Sequence, residues 1–342
     1  MASSLPRTLP ASWYCSKPLY SLEQRAVFLK SWYLLGPVTK FKENEPVVYE
    51  YAGVTLTATR ATPDDASIVV VDDQGKHPKT HLTPTGLLFS TISKAAPSFH
   101  EFFPGLEDVL SKVDFRARPY RRSISYYGDF NWKTMVDGYQ ECLHCAYTHP
   151  SFSVLYPPAS YAVVNHHNWC RHIADPEKPD DGLFLYFFPV CTLNVYGGGM
   201  SQFRVCPTEE PGRTRMEFDY YNVEAGEKFE EYYKFVRQVA IEDYELCEKA
   251  QSNLERGIYA EGILNPVKET GVAYYQQRVL EMVLSQHHED KQKKLLKQPA
   301  YGASSESTSS QPELDSSSYS GNSNFALHSN AARAKTGVAV ST

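Results

Sequence analysis

Asp243 stands where an apolar side chain is expected. Between Glu227 and Gly257 the residues Phe229, Tyr233, Val236, Ala240, Cys247, Ala250 and Leu254 recur every three or four positions, and Asp243 fills the one gap in that stripe. A carboxylate on a core-facing helical stripe is unfavourable to bury unless it is protonated, paired or bound to a metal. Two readings follow: a buried ion pair with an arginine or histidine, or a metal ligand whose partners lie elsewhere.

Candidate partners stand about a hundred residues earlier. A helix is predicted near 131–147, with Trp132, Val136, Tyr139 and Leu143 as its apolar stripe. Asp137, Glu141, His144 and Thr148 form a second stripe at the same spacing, so two carboxylates and a histidine share one face. On a continuous helix His149 would lie about 140° from His144. Pro150 follows it, however, and a residue before proline is pushed out of the helical region, so the helix should end and His149 can swing inward. Two histidines and a distant carboxylate on one face of a metal make the facial triad of non-haem Fe(II) oxygenases. A histidine pair alone would more often serve a structural role.

The other candidates are weaker. His166, His167, Cys170 and His172 are dense in ligand atoms but lack a nearby partner set of zinc type, and are read as a loop or strand edge lining a pocket. His77 and His81 flank Pro78 and are read as exposed loop residues. Gly197-Gly198-Gly199 opens no helix and has no lysine after it, so it is not a phosphate loop.

The elements that must position these residues read as strands first, helices later. A helix is predicted over Ser21–Trp32, then strands at Val47–Tyr51, Val54–Thr59, Ile68–Val71 and Thr85–Ile92. Further strands fill Leu183–Val195 and Ser201–Val223, and helices are predicted near 227–256 and 269–288. That order predicts an α+β fold with an antiparallel sheet. From Ala303 onward Ser, Ala, Asn and Gly dominate, and such a segment buries too little apolar surface to offset its ordering entropy. The lysines at 291, 293, 294 and 297 read as a solvated helix end.

Composition narrows the function classes. At 342 residues with 42% hydrophobic content the chain can build a large core, and a net charge of -6 offers no broad positive field for nucleic acid. No apolar run approaches a membrane span and the first residues lack signal-peptide character, so a cytoplasmic location is expected. Seven cysteines without framework spacing are expected to be reduced thiols.

The run Asn131-Trp132-Lys133-Thr134-Met135-Val136-Asp137-Gly138-Tyr139-Gln140-Glu141-Cys142-Leu143-His144-Cys145-Ala146-Tyr147-Thr148-His149-Pro150 resembles the iron-binding motif of Rieske-type oxygenase α subunits, especially the choline monooxygenase-like branch. Ala11-Ser12-Trp13-Tyr14, the stretch from Phe187-Phe188-Pro189 to Tyr196, Glu242-Asp243 with Gln251, and Lys268-Glu269-Thr270-Gly271-Val272 extend the likeness over most of 11–290. The resemblance implies His144, His149 and Asp243 as the iron ligands. It also implies Glu141 as a carboxylate bridging toward a neighbouring subunit's cluster, with Asp137 behind the ligands. It further implies a helix-grip catalytic domain, a curved antiparallel sheet around a long helix, in a trimer or multiple of trimers.

One departure is plain. A Rieske centre needs Cys-x-His followed by Cys-x-x-His. No cysteine lies between Cys15 and Cys142, none has a histidine three residues later, and Cys142-Leu143-His144 and Cys170-Arg171-His172 imitate only one half of the motif. No [2Fe-2S] cluster is therefore expected. The expected organisation is a truncated N-terminal β region at 1–120, a mononuclear iron domain at 121–290, and a basic helix end with a disordered tail at 291–342. The expected function is oxidation of a small organic substrate by Fe(II) and dioxygen. Electrons would come from a partner such as a cluster-bearing homologue, from a free reductant, or from the substrate. The competing expectation is a catalytically silent helix-grip ligand-binding or partner subunit.

Overall fold

The computed structural model describes residues 5–175, 177 and 182–297, so the Ser-rich tail and the side chain of Lys297 lie outside the described residues. Chain order runs α1 (Ser12–Cys15), α2 (Lys17–Ala26), β1 (Trp32–Pro37), β2 (Val47–Tyr51), β3 (Val54–Arg60), β4 (Ile68–Asp72), β5 (Thr80–Leu82) and β6 (Leu87–Thr91). Then come α3 (Phe99–Phe102), α4 (Leu106–Leu110), β7 (Tyr120–Gly128), α5 (Trp132–Tyr139), α6 (Cys145–Thr148) and α7 (Pro150–Leu155). The last third holds β8 (Ala162–His166), β9 (Trp169–Ile173), β10 (Leu183–Phe187), β11 (Cys191–Tyr196), β12 (Gly199–Pro207), β13 (Thr214–Asn222), α8 (Glu227–Glu255) and α9 (Thr270–Lys297).

The fold is α+β, as expected. Seven antiparallel strands form one sheet in the order β7-β13-β12-β11-β10-β9-β8, and two three-stranded sheets, β1-β6-β5 and β2-β3-β4, precede it in the chain. Strands β10 and β11 are buried along nearly their whole length, which explains the unbroken apolar run of β10, while β11 also buries Thr192 and Asn194. The 29-residue α8 turns Phe229, Val236, Ala240, Cys247 and Leu254 into the protein, the stripe read from spacing, and it packs on α5 and β12.

Charged residues tie the elements together. Asp219 on β13 accepts from Lys40 (2.6 Å) and from Arg204 on β12 (2.8 Å), so the segment after β1 is pinned to the large sheet. Lys133 on α5 meets both oxygens of Glu23 on α2 at 2.9 Å, with neither side chain more than 1% exposed. Gly271 opens α9 where a β-carbon would meet the Gln140 carbonyl oxygen at 2.5 Å, so only glycine permits this approach.

Four expectations need correction. The helix expected over Ser21–Trp32 ends at Ala26, because Trp32 to Leu35 are all buried in β1; a short apolar run is ambiguous between helix and strand. The helix expected near 131–147 breaks after Tyr139, and residues 140–144 form a turn before α6. Cys142 and Cys145 are joined in a disulfide rather than left as thiols, because that turn brings their Cα atoms to 5.0 Å, within bonding range. His81 lies on β5, not in an exposed loop.

Candidate metal centre

His144, His149 and Asp243 come together at the base of a cavity of about 100 Å³. His144 caps the start of α6, His149 stands between α6 and the proline that opens α7, and Asp243 projects from the middle of α8. The two imidazoles meet through Nε2 at 3.2 Å. Asp243 Oδ1 lies 2.9 Å from His149 Nε2 and 3.4 Å from His144 Nε2.

The opposite edge of each ring is held by another carboxylate. Glu141 binds Nδ1 of His144, and Glu242 Oε2 accepts from Nδ1 of His149 at 2.8 Å. Each Nε2 lone pair is thereby aimed at the common point, the arrangement in which an outer carboxylate fixes a metal-binding imidazole's tautomer and orientation. Glu242 is the residue whose part the sequence reasoning missed. Its adjacency to Asp243 on α8 was the available signal.

The donor set fits a small divalent cation. Bonds of about 2.1 Å at right angles place donor atoms about 3.0 Å apart, and the three separations here run from 2.9 to 3.4 Å. Three carboxylates surround two imidazoles, so the metal-free cluster satisfies itself with protons. Burial lowers the His144 pKa, but the hydrogen bonds its ring donates to Asp243 and Glu141 outweigh it and bring the ring to about 10. Burial works against ionisation of Asp243, yet the two histidines hold it at about 2.

Asp137 takes a different place. Its carboxylate accepts from Tyr14 (2.7 Å), Gln276 (2.6 Å) and Tyr275, and so joins α1, α5 and α9. No hydrogen bond from Asp137 to either histidine occurs among the described residues, although it shares a second cavity wall with Glu141, His144 and Asp243. The dense cluster at 166–172 does not converge either. His166 stacks on Trp169, while buried His172 is kept neutral by desolvation, its pKa lowered to about 3. Its Nε2 donates to Gln140 Oε1 at 2.8 Å and Nδ1 accepts from Tyr161, which fixes the turn leading to Glu141.

Aromatic side chains form the cavity walls, notably Tyr139, Tyr161, Phe184, Tyr196, Phe203 and Phe218. Asn194 and Ser201 add polar groups, and no lysine or arginine lines it among the described residues.

Residues 115–285, half of the chain, match the family described as ring hydroxylating alpha subunit (catalytic domain). The carnitine monooxygenase oxygenase subunit of Acinetobacter baumannii is 26% identical over 221 residues, covering 57% of this chain and 59% of that protein. Its counterpart in Acinetobacter pittii is 29% identical over 230 residues, covering 59% and 60%. The chain thus matches about three fifths of the length of these relatives. A crystal structure of the quaternary ammonium Rieske monooxygenase CntA with L-carnitine shares the fold, with a TM-score of 0.71 at 19% identity over 81% of this chain and 96% of that one. A naphthalene 1,2-dioxygenase structure aligns with a TM-score of 0.61 at 10% identity, covering 84% of this chain and 95% of that one.

Proposed function

This chain belongs to the ring hydroxylating alpha subunit family, and from that premise we propose that it is a mononuclear non-haem Fe(II) oxygenase. The observation that carries this reading is the convergence of His144 Nε2, His149 Nε2 and Asp243 Oδ1 beneath an aromatic cavity. When bound there, Fe(II) supplies the redox chemistry by which dioxygen oxidises an organic substrate. Glu141 and Glu242 hold the two rings in register, and Asp137 anchors the helices behind them. The aromatic walls exclude water and bind the substrate.

The substrate we propose is a small quaternary ammonium compound. Aromatic faces attract such cations, and relatives are named for carnitine and quaternary ammonium oxidation. The lining offers no cationic side chain for a carboxylate, which favours a choline-like cation over a zwitterion such as carnitine. Inserting one oxygen atom and reducing the other to water takes two electrons beyond those the substrate supplies. This sequence has no Cys-x-His and Cys-x-x-His pair, and on this reading the electrons come from a donor protein, a cluster-bearing homologue in a trimer, a free reductant, or a substrate that supplies all four itself.

Anaerobic Fe(II) loading followed by metal and acid-labile sulfide analysis tests the reading, with about one iron per chain and no sulfide expected. Dioxygen and a reductant should then convert choline in preference to carnitine. Zinc held in preference to iron, or no metal retained, refutes the oxygenase reading.

A further inference from the structure

A second set of metal-ligating side chains lies far from the triad in sequence, in the β1-β6-β5 sheet and the helices after it. His81 on β5, His100 on α3 and Glu107 on α4 bring their ligand atoms within 4.8 Å of one another. We propose that these three residues form a binding site for a divalent transition-metal ion of the zinc class, one that staples the edge strand β5 to the α3–α4 segment.

His81 Nε2 lies 2.7 Å from Glu107 Oε1, and His100 Nδ1 lies 3.9 Å from Glu107 Oε2. Two imidazoles and a carboxylate are a borderline donor set, suited to Zn(II), Co(II) or Ni(II) rather than to Mg(II) or Ca(II). The supports are set before any ion arrives. The His81 ring stacks on Phe99 with centroids 3.9 Å apart and planes 13° apart, and Phe99 is itself buried. The reciprocal Ser98–Glu101 hydrogen bonds fix the start of α3, and so the place of His100. Small rotations complete the site: the close Glu107–His81 pair opens and the His100 side chain, 67% exposed, closes. The exposed side leaves the remaining coordination positions to water.

The ion has structural work at this place. Strand β5 contributes only three residues to the edge of its sheet, and joining residue 81 to residue 107 closes a long loop. An ion that binds only the folded chain raises its melting temperature by about 5 °C at a hundredfold excess over Kd.

The test uses the full-length chain with its triad disabled by Asp243→Ala, titrated with Co(II) and Zn(II) and followed by calorimetry and the visible Co(II) spectrum. One ion per chain should bind and raise the melting temperature. Adding His100→Ala or Glu107→Gln should weaken that binding at least about tenfold, while in the otherwise wild-type chain His100→Ala should leave iron content unchanged. His100 is exposed, so its loss does not threaten the fold. Unchanged Co(II) binding in both second-site variants, or no binding by the Asp243→Ala chain, overturns the proposal.

Discussion

Replacing Glu242 by glutamine separates ring orientation from charge at the iron site. The amide oxygen still accepts from His149 Nδ1, now 2.8 Å from the carboxylate, so the ring keeps its direction and loses only the negative charge behind it. Changes to carboxylates that support metal-binding histidines cost about 10- to 100-fold in affinity, or about 1.4 to 2.7 kcal/mol. Glu242 is 23% exposed and water screens it, which places Glu242→Gln near the tenfold end. Glu141 is 11% exposed and also accepts from the backbone of Leu143, which places Glu141→Gln near the hundredfold end. Asp243→Ala removes a ligand outright and should exceed both. The assay is anaerobic competition for Fe(II) against a chromophoric chelator, with circular dichroism to verify folding. Glu242→Gln within about twofold of wild type would refute the two-carboxylate account, as would a loss larger than that of Asp243→Ala.

Three further outcomes are expected. Lys133→Met should destabilise the protein by about 3–5 kcal/mol in urea denaturation, because it strands the buried Glu23 carboxylate, and adding Glu23→Gln should recover much of the loss. Burial raises the Asp137 pKa to about 6 despite its hydrogen bonds to Tyr275, Tyr14 and Gln276, so the folded chain holds this proton more tightly than the unfolded one. Stability should therefore fall as pH rises from about 4 to 6, by about 3 kcal/mol; Asp137→Asn should remove that slope, and identical wild-type and variant profiles by denaturant midpoint would contradict it. Replacing both Cys142 and Cys145 by alanine frees a four-residue loop whose closure is worth about 2 kcal/mol. The denaturant midpoint should fall accordingly, and an unchanged midpoint would contradict this account.

Legibility in the sequence followed periodicity. Strand β2 matches its expected bounds, and α8 differs from expectation by about one residue at its end, because apolar spacing is dense in both. Strand β7 is absent from the sequence reading because Arg121, Arg122 and the serines at 123 and 125 leave only Tyr120, Ile124 and Tyr126 as a short, half-buried apolar face. The part played by Glu242 was hidden for a geometric reason. Successive helical side chains point about 100° apart, so a ligand and its neighbour do not obviously serve one site. They do so here because His149 offers its two nitrogens on opposite edges, Nε2 to Asp243 and Nδ1 to Glu242.

The break in the helix expected near 131–147 has the same importance for the site. On a continuous helix His144 and His149 would diverge, and no turn at Pro150 alone would carry both Nε2 atoms to one point. The chain instead leaves helix at Tyr139, where Gly138 weakens the last turn and Gln140 turns its side chain to His172 and Cys170. Residues 140–144 then re-aim the backbone, with the Cys142–Cys145 bridge across the bend, before α6 begins at Cys145. Glu141 falls within that bend and binds Nδ1 of His144 three residues further on, while Asp137, one turn earlier in the intact helix, faces Tyr14 and Tyr275 instead. The carboxylate that serves the histidine is thus the one beyond the break, and the one before it is left to hold the helices together.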